Sequence, residues 1–276
     1  CVMGITMNGA TPVFIEPDRF YSIDISEIEK NITDKTKAIL VVHLYGMPAN
    51  MDKILEICKK YNIILVEDCA QSHGAKYKGK NTGTFGDVGC FSFYPSKNLG
   101  GFGEGGAIVT DNKELADSFK VFRNYGSEKR YFNKIIGTNS RLDELQAALL
   151  RVRLKHLDEI NKERCYIAEK YNNEINNPKI IKPYLNTETE PVWHQYVVQC
   201  QERERLMTYL NDKKINTIIH YPKPPHLQEA YSYLNMQKGD LPITELFANS
   251  VLSLPIYNGM TESEQNFVID TLNMFY

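Results

Sequence analysis

Three stretches of the sequence gather side chains that do chemistry. In Val66-Glu67-Asp68-Cys69-Ala70-Gln71, the carboxylate of Asp68 follows the apolar run Ile63 to Val66. A short apolar run of this kind reads as a buried strand. Asp68 then falls at the carboxyl end of that strand, where open α/β sheets bind ligands. In Gly89-Cys90-Phe91-Ser92-Phe93-Tyr94-Pro95-Ser96-Lys97-Asn98, a second strand runs into a turn marked by Pro95. Ser92 offers a hydroxyl to an anion, and Lys97 sits on the loop at the sheet edge. In Gly100-Gly101-Phe102-Gly103-Glu104-Gly105-Gly106, five glycines in seven residues let the backbone approach a ligand closely. Each stretch has an ordinary reading by itself: Asp68 as a helix cap, Lys97 as a solvated loop lysine, the glycines as a mobile hairpin. The run is not a P-loop, because G-x-x-x-x-G-K-[ST] is absent.

Taken together the three match one chemistry. Pyridoxal phosphate (PLP) needs a lysine amine that holds it covalently and later moves a proton. It needs an acid beside its pyridine nitrogen, because a nearby opposite charge favours the protonated ring. Its phosphate needs hydroxyl and N–H donors. Lys97, Asp68 and Ser92 are of those types.

The elements that must position these residues follow from periodicity. Ala38 to Leu44 is a near-continuous apolar run, as is Ile63 to Val66. Runs without alternation predict strands buried on both faces, as in parallel sheets. Between them Met51, Ile54, Leu55 and Cys58 recur at helical spacing over Asn50 to Tyr61, which completes a β-α-β unit. Further strands are predicted at Gly89–Tyr94 and Gly106–Thr110, and a helix at Glu114–Phe122. Ser140, with Asp143 three residues on, reads as an N-cap. The helix it opens runs through Leu142, Leu145, Leu149 and Val152 to near Asn172. Asn176, Asn177, Pro178, Pro183, Asn186 and Pro191 then mark loops. A strand is predicted at Val192–Gln199, and helices at Glu202–Lys213 and Thr244–Leu252. The fold class expected is α/β, a mostly parallel large domain over residues 1–154 followed by a smaller α+β domain over residues 155–276.

From Val66 to Asp111 the chain resembles the DegT/DnrJ/EryC1/StrS family of sugar aminotransferases. The matching stretches are V-E-D-C-A-Q-S-H-G-A, F-G-D-V-G-C-F-S-F-Y-P-S-K-N-L and G-G-F-G-E-G-G-A-I-V-T. The likeness extends through H-L-Y-G-M-P-A-N-M-D from His43 and G-T-N-S-R-L-D-E-L-Q-A-A from Gly137. It implies a fold-type I, PLP-dependent enzyme that moves an amino group, with L-glutamate the expected donor, to a nucleotide-linked keto-sugar. Carried over residue by residue, Lys97 is the lysine that holds the cofactor and Asp68 the partner of the pyridine nitrogen. Gln71 lies near the ring hydroxyl, and Ser92 donates to the phosphate. Asn139 resembles an asparagine that reaches the phosphate from a neighbouring subunit, so a homodimer with shared active sites is expected; a plain turn before the long helix is the other reading. Some relatives carry histidine in place of the lysine and dehydrate sugars instead; Lys97 favours transamination over that alternative.

The loop Ile219-His220-Tyr221-Pro222-Lys223-Pro224-Pro225-His226-Leu227-Gln228 is stiffened by prolines. It resembles a segment of relatives that aminate C3 of dTDP-3-keto-6-deoxyhexoses, and marks His220, Tyr221 and His226 as substrate-binding residues. An ordered surface loop is the bland alternative. No cysteine or carboxylate pattern supports zinc at His220 and His226, and no metal is expected. His73 reads as a neutral histidine packed under the site, and Trp193-His194 as packing at a strand's start.

Composition narrows the rest. The chain has 276 residues, 42% hydrophobic and 24% charged, with net charge −2 and a pI of about 6.4. No basic surface for nucleic acid or anionic membrane is implied. No apolar run approaches the roughly 20 residues that span a bilayer. The six cysteines, Cys1, Cys58, Cys69, Cys90, Cys165 and Cys200, are scattered and form no C-x-x-C pair. Reduced thiols in a cytoplasmic protein are expected. The chain opens Cys-Val-Met-Gly-Ile-Thr without a polar lead-in. Family members carry, ahead of the stretch matching G-A-T-P-V-F-I-E-P-D, a Gly-Ser/Thr turn that binds the phosphate and an aromatic residue that stacks on the ring. A preceding segment is therefore expected. Without it the chain would bind cofactor poorly, and a catalytically silent dimerisation unit is the third reading.

Overall fold

The computed structural model describes residues 1–276. The expected β-α-β unit forms from β1 (Ala38–Val42), α1 (Met51–Tyr61) and β2 (Ile64–Asp68). Helix α1 buries Met51, Ile54, Ile57 and Cys58, and ends at Asn62, which takes the left-handed conformation at φ 53°. β2 pairs in parallel with β1 (Val42 opposite Asp68) and with β3 (Val88–Ser92), placing Asp68 opposite Cys90. β4 (Gly106–Val109) closes the sheet antiparallel to β3, with Ser92 opposite Gly106. The order is β1-β2-β3-β4, and two of its three pairings are parallel.

The strands are not buried on both faces, as their apolar runs predict. Ile39, Val41, Leu65 and Glu67 are buried on the side of α1, while Leu40, Val42, Val66 and Asp68 are half-buried and Ile64 is exposed. Side chains alternate across a strand, so this asymmetry sets Asp68, Cys90 and Ser92 together on the more open face.

A helix α2 (Lys113–Phe122) follows, with Asn112 accepting from Glu114 and Leu115 N–H as its cap. The long helix differs from expectation at its start and middle. Ser140 is not the cap, because its N–H is spent on Arg123 O and Asn139 bridges Asn124. Asp143 takes the N-cap position, and the helix divides into α3 (Glu144–Leu154) and α4 (Leu157–Glu174). The break falls at His156 (φ −109°, ψ 7°), where Leu157 turns into a buried position while Leu154 stays exposed.

Beyond α4, strand β5 (Tyr196–Gln199) pairs antiparallel with β6 (Val251–Leu254). The expected strand from Val192 is shorter because Trp193 takes a positive φ of 48°. Between them lie α5 (Arg203–Asp212) and α6 (Pro242–Ser250). The helix predicted to reach Leu252 stops at Ser250, because Val251 to Leu254 bury all four side chains in the ladder with β5. A last helix α7 (Glu262–Asn273) was not evident from periodicity, although Thr261 and Glu264 form a complete capping box.

Two main cores result. Eleven buried residues between Ile28 and Tyr77 pack β1, β2 and α1. A larger cluster of 24 joins α4, β5, α5, β6 and α7, and also takes in Tyr21, Tyr45 and Met47. Ile54 is wholly buried in the first. Ile54→Ala is expected to destabilise the chain by about 3 kcal/mol through lost transfer energy and a residual cavity. Urea unfolding with an unchanged m-value checks this.

Candidate active site

Asp68 ends β2 on the sheet's open face. Its Oδ1 accepts from Ala70 N–H at 3.0 Å, and Oδ2 lies 2.5 Å from Cys1 Sγ. Its carbonyl accepts from His43 N–H at 3.1 Å. On the opposite face, Glu67 is fully buried and accepts from the N–H groups of Gly83, Phe85 and Gly86, each at 2.7 Å. It also meets His43 Nε2 at 3.0 Å. His43 Nδ1 accepts from Ala49 N–H, so the proton of that ring is on Nε2 and is donated to Glu67. Burial works against charge on Glu67, but the bonds from His43, Gly86 and Gly83 outweigh it and hold the carboxyl below its usual range. His43, Glu67 and Cys69 bring potential ligand atoms within 4.8 Å of one another. Both ring nitrogens and both carboxylate oxygens are already bonded within the protein, and burial pushes the Cys69 thiol up. The trio therefore anchors the end of β2 rather than a cation.

Lys97 projects from the turn after β3, whose backbone closes through Lys97 N–H to Tyr94 O at 2.9 Å. Gly100 is required there, because a Cβ would lie 2.3 Å from Pro95 O. Gly100 thus packs beneath the lysine's loop, while Gly101 and Gly103 lie against Gln146 of α3. Burial lowers the Lys97 pKa below the ordinary lysine value, and the charge of Asp68 pulls it back up. Three histidines feel the Lys97 charge. Burial, then Lys97, depress His194 to about 3. His73 lies at about 4, depressed by burial first and Lys97 to a smaller degree, and its ring packs 5.4 Å from Phe91. His220 is lowered by burial and Lys97 as well. Lys97 is thus a half-buried amine that shares its cleft with His194 and His220, and Asp68 is the carboxylate whose charge it feels.

Gln71 is buried; its Oε1 accepts from Tyr45 N–H at 2.6 Å and its Nε2 reaches Tyr221 Oη at 3.4 Å. Gly46, at φ 87°, makes this approach possible: a Cβ there would lie 2.9 Å from His194 N and 3.0 Å from both Trp193 N and Gln71 O. Tyr45 Oη donates to the His220 carbonyl. The His220 ring bonds Ser253 Oγ at 2.8 Å and Gln195 Nε2 at 2.9 Å. A cleft of about 820 Å³ opens here, lined by Lys97, His194, Gln195 and His220 at one end and by Arg153 and Lys214 farther along.

The structure sets Lys97 and His220 on one cleft and joins Gln71 to Tyr221; Asp68, whose charge Lys97 feels, lies outside that cleft's lining with Ser92 two residues beyond Cys90 on its face. Two expected residues lie apart. Asn139 is exposed and bridges Asn124 through its backbone. His226 is buried outside the cleft, 3.0 Å from Glu245 Oε1, which also accepts from Gly239 N–H. That pair ties the loop after Tyr221 to α6. Asn98 and His194, beside Lys97, were not marked by sequence. An asparagine after a lysine and a histidine entering a strand carry no signal until the chain brings them together.

The profile of the DegT/DnrJ/EryC1/StrS aminotransferase family matches residues 2–273. The chain is 50% identical over 275 residues to the dTDP-3-amino-3,6-dideoxy-alpha-D-galactopyranose transaminase of Aneurinibacillus thermoaerophilus, covering 99% of this chain and 75% of that one. It is 44% identical to the dTDP-3-amino-3,4,6-trideoxy-alpha-D-glucose transaminase of Streptomyces venezuelae, covering 98% and 72%. The crystal structure of S. venezuelae DesV superposes with a TM-score of 0.96 at 44% identity, covering 98% of this chain and 74% of that one. The chain belongs to the DegT/DnrJ/EryC1/StrS aminotransferase family, whose enzymes depend on PLP, and the α/β fold class expected from sequence stands. The side chains fit that group: a half-buried amine, a carboxylate at the strand end, an amide and a hydroxyl.

Two outcomes are expected. A lowered pKa means a larger neutral fraction at any given pH. Trace acetylation of Lys97 in the apoprotein should therefore rise at lower pH than that of Lys113, whose ammonium is held by Asp117. Asp68→Asn should lower the Lys97 midpoint further; peptide mass spectrometry reads both. Glu67→Gln turns an amide N–H toward donors and should cost about 3 kcal/mol in urea unfolding, since one partner of a buried pair is left uncompensated.

Proposed function

We propose that this member of the aminotransferase family transfers an amino group from L-glutamate to C3 of a dTDP-linked 3-keto-6-deoxyhexose. The observation that carries the reading is Lys97, a half-buried amine whose charge partner is Asp68, at the end of a cleft shared with His220 and Gln195. The two dTDP-3-amino-sugar transaminases, at 50% and 44% identity, support the substrate class. A lysine at position 97 favours transamination over dehydration.

Bound PLP supplies an electron sink for the negative charge that develops on the substrate carbon. The chain's own residues do the rest. Asp68 holds a proton on the ring nitrogen through its charge. Lys97, with its pKa lowered by burial, takes the proton from the substrate carbon and returns it. Gln71 would meet the ring hydroxyl, and Ser92 would donate to the phosphate. His220 and Tyr221 orient the sugar, and His226, held by Glu245, keeps their loop in place.

We place the enzyme in a homodimer in which Asn139 of one copy reaches the phosphate site of the other. Leu145, Leu149 and Val152, at spacings of four and three, are exposed along one face of α3, which suits a second copy. No helix is long and apolar enough to cross a membrane. The six free cysteines suit a reducing compartment, and the cytoplasm is the proposed location.

The test uses ¹⁵N-glutamate and PLP-loaded protein with a panel of nucleotide-linked keto-sugars. The expected outcome is ¹⁵N on C3 of the dTDP-linked 3-keto-6-deoxyhexose, seen by NMR, and no transfer by Lys97→Ala. Transfer by Lys97→Ala equal to the unmutated protein, or loss of a sugar hydroxyl without nitrogen gain, would overturn the reading.

A further inference from the structure

Asn98 follows Lys97 in the chain and is 1% exposed. Both hydrogens of its Nδ2 are used, on Asn161 Oδ1 and on Val192 O, each at 2.9 Å. An amide oxygen only accepts. The group that Asn98 Oδ1 meets at 3.2 Å, His194 Nδ1, must therefore be a donor. Asn161 in turn gives its Nδ2 to the carbonyl of His73 at 2.8 Å. The bonds run in one direction, from His194 through Asn98 and Asn161 to His73, and each amide is oriented by its neighbours.

His194 consequently carries its proton on Nδ1 and presents a lone pair on Nε2. The ring is buried and lines the cleft with Lys97. Arg164 Nη1 donates to the carbonyls of Trp193 and His194, both at 3.1 Å, and so fixes the backbone from which the ring extends. Lys97 lines the same cleft, so the amine and the Nε2 lone pair share one space.

We propose that Asn98 and His194 are positioning residues for Lys97. Asn98 clamps the lysine's loop onto α4 and onto the segment entering β5, and His194 Nε2 offers the amine a fixed, uncharged acceptor. An uncharged acceptor orients an ammonium without holding its proton as a carboxylate would. Lys97 then stays aimed at the reacting carbon while its proton remains free to move. The inference rests on the aminotransferase reading of the site.

Four variants of the PLP-loaded protein test it: Asn98→Ala, His194→Ala, His194→Asn and, as a control, Tyr77→Phe. The last removes part-buried hydrogen bonds from Tyr77, a residue of the other core, to Asn50 and Glu188. Asn98→Ala and His194→Ala are expected to lower kcat by roughly tenfold or more, with the KM for glutamate within about threefold, because a misaimed proton carrier slows chemistry more than binding. His194→Asn restores a donor at the place of Nδ1 and should keep the PLP Kd of the unmutated protein, measured by equilibrium dialysis, but not recover kcat, since Nε2 is lost. Tyr77→Phe should lower Tm and leave Kd and kcat unchanged. In the apoprotein, Asn98→Ala should move the Lys97 acetylation midpoint up toward that of an exposed lysine. A kcat for His194→Ala within threefold of the unmutated protein would overturn the proposal, as would Tyr77→Phe reproducing the kcat loss. An unmutated protein that transfers no amino group is the separate signature of a failed aminotransferase reading. In that case the apoprotein acetylation still decides whether Asn98 positions Lys97, since an unmoved midpoint refutes it.

Discussion

The loop that carries Lys97 is held in place by a seam of buried polar groups that joins two apolar cores. One core packs β1, β2 and α1, and the other packs α4, β5, α5, β6 and α7. Apolar surfaces alone slide and repack at modest cost. Polar groups buried between them do not, because each unpaired donor or acceptor is costly in low dielectric. Asn98 and Asn161 satisfy each other and the carbonyls of Val192 and His73, Arg164 satisfies those of Trp193 and His194, and Gln71 accepts from Tyr45 N–H. Gly46 admits that arrangement by letting Gln71 and the Trp193–His194 backbone come within van der Waals contact.

The same seam sets the electrostatics. A lysine placed among carboxylates would be locked as a cation. Here its neighbours are imidazoles kept neutral by burial and by the lysine itself, with one carboxylate for balance. The other acid of the motif, Glu67, is one residue from Asp68 but points to the opposite face, where His43 and three backbone N–H groups consume it. Two adjacent carboxylates thus have separate tasks. Glu67 fixes where the strand ends, and Asp68 presents its charge to the site.

Local signals identified most elements and misplaced several boundaries, each for a stated reason. The cap expected at Ser140 moved to Asp143 because residues 138–140 pair with 122–125 instead. Trp193 interrupts a predicted strand through a left-handed conformation that its residue type disfavours. Val251 to Leu254 read as the continuation of a helix, and pairing with β5 overrode that propensity. At Ser140 and at Val251 to Leu254 a partner distant in sequence outweighed a local preference.

The sequence by itself determined the chemistry. Asp68, Gln71, Ser92 and Lys97 are of the right types at the right strand ends, and their spacing is a local property of two strands and their following loops. It also determined the α/β class, through apolar runs alternating with helical periodicity. Only the tertiary structure decided which residues stand around the lysine. His194 and Asn98 are separated by 96 positions and meet in one hydrogen bond. His226, directly after Pro225, is turned inward to Glu245, while His220, six residues earlier, lines the cleft with Lys97. A side chain's type is written at its own position, but whether it is a support or a site is set by what the fold brings against it.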